Sequence, residues 1–125
     1  MDYDDALAYC LGKPGAVQDE PWEGDVVVKV GGKIFAFFGM PEGGTIGLKC
    51  GADADEAEGW RLEFPEYVTV MPYIGRYGWN TFKLSGPYSD DELREAIDGS
   101  YSDVHNRLPK SRRPGVDADS EPATG

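Results

Sequence analysis

The chain has a single histidine, His105, and only two cysteines, Cys10 and Cys50. Histidine is the usual general base near neutral pH and the commonest metal ligand, so one copy on the flank of a predicted helix points to a structural role. The cysteines sit in unlike contexts, one on a predicted helix and one at a strand end, without metal-ligand spacing. Buried, reduced thiols are the expectation. No nucleophile elbow, phosphate-binding glycine loop or cofactor motif is present, so nothing marks an enzyme or a bound cofactor. Apolar runs fall well short of the roughly 18 to 20 residues that cross a bilayer. The acidic start Met1-Asp2-Tyr3-Asp4-Asp5 is the reverse of a signal peptide's basic beginning, which suggests a cytoplasmic protein. Basic residues are scarce as well: 12 against 23 acids, a net charge of -11 that favours solubility and globally opposes nucleic acid.

What is present is a β-hairpin at the centre of the chain. Asp25 to Gly39 reads as two runs rich in Val, Ile and Phe around Gly31-Gly32, a pair suited to a turn with positive φ at both centres. A two-residue turn would set Val30 opposite Lys33, Val28 opposite Phe35 and Val26 opposite Phe37. One face is then almost wholly apolar, with Phe35 and Phe37 packing together. The other, carrying Val27, Lys29, Ile34, Ala36 and Phe38, is more apolar than a solvated face should be, so something covers it or binds there.

Around this hairpin the pattern predicts a helix over 2–11, capped by Asp2 with Asp5, and a loop over 13–24 in which Trp22 plugs one end of the core. A turn over 41–44 leads to a third strand, 45–50, with Ile46, Leu48 and Cys50 on one side. Asp53 and Glu56 frame the start of a short helix with Trp60 and Leu62, closed by Pro65. Strands at 68–71 and 79–84 pair across a loop rich in glycine and tyrosine. Ser89-Asp90-Asp91-Glu92 is a capping box for a helix to about Asp98, broken at Gly99, after which Ser100 and Asp103 start a second short helix ending at Pro109. Residues 111–125 lack apolar periodicity and read as a disordered tail on a single domain of residues 1–110. Short connections make the strands antiparallel, and helices gathered at the ends cover one face: an α+β two-layer sandwich with about five strands.

The charge is unevenly spread. Residues 26–50 hold Lys29, Lys33 and Lys49 against Glu42, and residues 67–89 hold Arg76 and Lys83 with no acid, so a mildly basic sheet sits in acidic surroundings. Lys29, Lys33, Lys49, Arg76 and Lys83 are candidates for phosphate contacts, with Tyr77 as the stacking partner among Tyr73, Tyr77 and Trp79. Arg107, Lys110, Arg112 and Arg113 form a second basic cluster. The acids Asp53, Asp55, Glu56 and Glu58 lack the glycine and closing glutamate of a calcium loop.

Pro21-Trp22, Gly32-Lys33-Ile34-Phe35-Ala36, Leu48-Lys49-Cys50, Trp79-Asn80-Thr81 and Ser100-Tyr101 with Val104 and Leu108-Pro109-Lys110 resemble, in order and spacing, the MmcQ/YjbR family of small bacterial proteins. The resemblance implies a fold related to the CyaY/frataxin superfamily and a DNA-binding label attached through a double-wing surface, the wings being sheet hairpins. Lys33, Lys49 and the loop from Tyr73 to Trp79 would lie at or near them. Two functional expectations follow: a non-enzymatic monomer binding DNA weakly through the basic sheet, or an acidic protein-interaction module or frataxin-like metal binder using the helices.

Overall fold

A computed structural model describes residues 1–39 and 43–113. Six antiparallel strands form one sheet in the order β1-β2-β3-β4-β6-β5: β1 Val17–Trp22, β2 Asp25–Val30, β3 Lys33–Gly39, β4 Thr45–Lys49, β5 Val68–Val70 and β6 Trp79–Lys83. Among the described residues three α-helices, α1 Tyr3–Leu11, α2 Glu58–Glu63 and α3 Asp90–Arg107, pack on one face. Between the layers lies a single core in which Ala6 and Cys10 of α1 and Leu93, Ile97 and Val104 of α3 meet Val28, Phe35, Phe38, Ile46, Leu48 and Phe82 of the sheet. Among the described residues no α-helix lies on the other sheet face. The architecture is the expected α+β sandwich, with one strand more than expected.

The caps follow the sequence signals. Asp2 accepts from the Asp5 amide at 2.8 Å, and Ser89 from the Glu92 amide at 3.0 Å, each with the reciprocal bond of a capping box. Gly31 and Gly32 occupy the hairpin turn at φ +57° and +84°, the left-handed conformation that glycine adopts without a Cβ penalty.

Four expectations are corrected. The additional strand is β1, hidden because all six of its side chains are exposed: an edge strand with Pro21 and no buried face leaves no alternation to detect. Trp22, at its end, is 60% exposed and plugs nothing. In the central hairpin Val30 does face Lys33, but the register shifts by one between Lys29↔Ile34 and Val28↔Ala36. Phe35 is the extra residue of this bulge. Phe35, Ala36 and Phe38 therefore all reach the core, while Phe37 turns to the open face and meets Trp79 edge-on at 5.2 Å. Finally, α3 is one continuous 18-residue helix through Gly99.

The bulge and the unbroken helix share a cause. Ser100 does not start a helix; it is fully buried, its Oγ donating to the Phe35 carbonyl at 2.6 Å and accepting from the Lys49 amide at 3.0 Å. Those groups lie just past the two pairs that join β3 to β4, Ala36↔Leu48 and Phe37↔Gly47. One hydroxyl thus serves two backbone groups there, as buried polar groups require. Gly99 faces solvent, where its helix cost is about 1 kcal/mol and the packing of α3 exceeds it. Of the residues expected to form a tail over 111–125, those up to Arg113 are described: Lys110–Arg112 form a 3-10 turn, and Arg113 donates to the carbonyls of Leu108 and Asn106 at 2.9 Å each. The rest of the tail and most of the turn at 41–44 lie outside the described residues.

Candidate nucleic-acid interface

Strand register places the candidate cations. The β2–β3 turn, the end of β4, the end of β5 and the start of β6 all lie at one end of the sheet, since Val30 pairs with Lys33 and Lys49 with Trp79. Lys29, Lys33, Lys49, Arg76 and Tyr77 belong to that end. Lys83 does not: it pairs with Thr45 at the opposite end.

The members of the set differ in availability. Lys33 is exposed in the turn and makes no ion pair among the described residues. Arg76 and Tyr77 are exposed on a 3-10 turn, Gly75–Tyr77, with the guanidinium 4.9 Å from the ring centroid. This cation–π contact leaves both groups facing water. Lys29 is half-buried and paired with Asp19 at 2.7 Å, a contact that holds the Asp19 carboxyl below its usual pKa. Lys49 is 9% exposed, and its ammonium donates to Gly51 O at 2.8 Å and to Tyr77 O, with Asp103 at 3.7 Å. Its charge is committed to holding the end of β4 against the loop before β6 and against α3. Its strand-end position in the sequence looked the same as that of Lys33, and only the tertiary partners separate the two.

The second basic cluster joins the same end. Pro109 and Leu108 with Arg107 line a small apolar recess beside Lys33 and Ile34, so the foot of α3 sits against the β2–β3 turn. Lys110 and Arg112 are exposed there, while Arg107 pairs with Asp103 at 3.0 Å. The end is not uniformly positive, because Asp53, Asp55 and Glu56 follow β4 in the turn before α2 and Glu58 opens that helix. Asp53 accepts from the Glu56 amide at 2.9 Å and Glu56 from the Ala52 amide at 2.9 Å, so these acids frame that turn. Among the described residues no group of three or more His, Cys, Asp or Glu side chains is arranged to hold a metal ion.

Burial pushes the thiols of Cys10 and Cys50 up to about 12, and both are free. Groups so protonated are poor nucleophiles. On the open face, Trp22, Val27, Phe37, Gly47, Met71, Tyr73 and Thr81 line a trough of about 580 Å³. Its clue in the sequence was the surplus of apolar residues on both hairpin faces; the bulge decided which of them line it. No helix among the described residues is long and apolar enough to cross a membrane.

Comparison with known proteins agrees with this architecture. The "Uncharacterized protein YjbR" of Escherichia coli strain K12 is 28% identical over 118 residues, covering 90% of this chain and 95% of that protein. A crystal structure of a Deinococcus radiodurans protein with a DUF419 domain superposes with a TM-score of 0.77 at 24% identity, over 90% of this chain and 85% of that one. A Pseudomonas syringae protein superposes with a TM-score of 0.67 at 19% identity, over 83% and 99% of the two chains. The family model described as YjbR matches residues 11–103, nearly the whole span from the end of α1 into the last turns of α3. The chain belongs to the YjbR family.

Proposed function

We propose that this protein is a non-enzymatic, weak DNA-contacting protein that uses the basic end of its sheet. The observation that supports this most is the convergence of Lys33, Arg76, Lys110 and Arg112, all exposed and without an ion-pair partner among the described residues, on the end that also presents Tyr77. Lys33 lies on a hairpin tip and Arg76 on the loop between two strands, the positions that a double-wing surface requires. In this reading the four cations contact phosphates and Tyr77 offers a stacking face, while Lys29 contributes little beside Asp19. Lys49 and Lys83 have no part in it. The net charge of -11 limits affinity at long range, but at physiological salt the screening length is about 8 Å, so the local cluster governs contact.

The test is fluorescence anisotropy of a labelled duplex and a labelled single strand at two salt concentrations. Micromolar binding that weakens steeply with salt is the expected result. Absence of binding at low salt, where the electrostatics are most favourable, would remove the proposal.

A further inference from the structure

We propose that the open face of the sheet is a docking groove for a peptide segment of a partner protein, one that carries bulky apolar side chains flanked by Lys or Arg. All three described α-helices pack on the other face, leaving Val27, Phe37, Gly47, Met71 and Thr81 as the groove's lining with no helix of the described residues over it. Trp22 and Tyr73 line it as well and are 60% and 96% exposed. Large aromatics standing in water beside an apolar trough are costly unless something covers them, and Trp and Tyr are the residues that most often anchor an interface.

Local geometry supports a recognition surface rather than an accident of packing. Tyr73 holds φ +68°, the one described non-glycine residue in the left-handed region, which costs free energy at a position where its ring gains no burial. Met71 lies over Gly47, where an added Cβ would come 2.8 Å from its Sδ. A flexible thioether over a glycine makes part of the lining adaptable to the shape of a ligand.

The sign of the partner's charge comes from the lip. Glu20, Glu23 and Asp25 are exposed on the β1–β2 hairpin beside Trp22, and none has a Lys or Arg ion-pair partner among the described residues. Glu20 accepts a backbone amide, from Gly24 at 3.2 Å. Lys83 is at the same end of the sheet but lies across β3 and β4 from this hairpin. Such a lip favours a cationic flank on the incoming segment and repels phosphates. It also disfavours a second copy of this chain, since each copy carries -11. The groove borders the basic end through Met71 and Tyr73 of the β5–β6 connection, but its acidic lip lies at the opposite end of the sheet, and its test does not depend on DNA binding.

The test is selection of a randomised peptide library on the immobilised full chain, followed by anisotropy of the enriched peptides on the wild type, on Trp22→Ala and on Glu23→Lys with Asp25→Lys. All the altered residues are exposed, so folding should survive, and circular dichroism checks it. Expected are enriched peptides with paired bulky apolar residues beside Lys or Arg, weakened about tenfold or more by either variant. No enrichment over a blank surface, enrichment of acidic flanks, or unchanged binding to both variants would overturn the proposal. So would a dimer in sedimentation analysis that Trp22→Ala dissolves, which would assign the groove to a second copy.

Discussion

Ser100 carries more of this structure than its size suggests. Its hydroxyl joins the Phe35 carbonyl of β3 to the Lys49 amide of β4 from within α3, at a position with no exposure to solvent. Ser100→Ala leaves two buried backbone groups unpaired and should cost about 3 kcal/mol. For a domain of this size that corresponds to a fall in melting temperature of roughly 10 °C. A calorimetric scan showing less than a 2 °C change, near the scatter expected of a surface substitution, would contradict the role given to Ser100. The buried protonated groups set the alkaline limit in a similar way. Cys10 and Cys50 are pushed by burial from 9.0 up to about 12, and Tyr88 from 10.0 up to about 12. A folded-state pKa above the unfolded one means that the folded chain keeps its proton longer. The associated stability is intact below about pH 9 and is lost as pH rises toward 12. Urea midpoints should therefore fall between pH 8 and pH 10.5; a level or rising midpoint would show that these groups are not buried. On the acid side, Asp19 beside Lys29 and Asp90 beside the N-terminal ammonium are held below 3.8, so their smaller, solvent-screened contribution is lost as pH falls below that value.

At the scale of elements, what could be read in advance was whatever has a local signature. Capping boxes at Asp2 and Ser89, the Gly31-Gly32 turn and the alternation of Ile46 and Leu48 each act over a few residues, and the corresponding elements are present. What escaped depended on partners distant in sequence. The bulge at Phe35 is invisible locally because Phe35 and Phe37 are equally apolar, and the hydroxyl that satisfies its carbonyl lies 65 residues away. Edge strand β1 is held by β2 alone and has no buried side to show. Gly99 looked like a helix end because glycine is a poor helix former, yet it lies on the solvent side of a helix pinned on the other by Leu93, Ile97, Ser100 and Val104. A Cβ at Gly99 would meet nothing within 4 Å. Gly99→Ala should accordingly stabilise the protein by about 0.5 to 1 kcal/mol. A lowered urea midpoint for that variant would mean that α3 bends or opens at this point.

For the whole molecule, the same distinction governs the proposed site. The sequence singled out Lys29, Lys33, Lys49, Arg76, Tyr77 and Lys83 by residue type, but type does not reveal commitment. Lys49 holds two carbonyls and faces Asp103, Lys29 is matched by Asp19, and Lys83 stands at the far end. Lys33, Arg76 and Tyr77 remain, joined by Lys110 and Arg112 at the foot of α3. A chain of net charge -11 can present such a cluster because most of its acids lie elsewhere, on α1, the β1–β2 hairpin and the start of α3, while those of the turn before α2 reduce the positive charge at the same end. Three or four phosphate contacts correspond to a salt dependence of about -3 in log affinity against log salt.

The most direct measurement is anisotropy of a labelled duplex with three proteins: the wild type, the double variant Lys33→Glu with Arg76→Glu, and Lys83→Glu. Binding by the wild type at low salt, its loss in the double variant and its retention in Lys83→Glu are expected. Binding that survives the double reversal, or that Lys83→Glu removes equally well, would show that the basic end is not the contact surface.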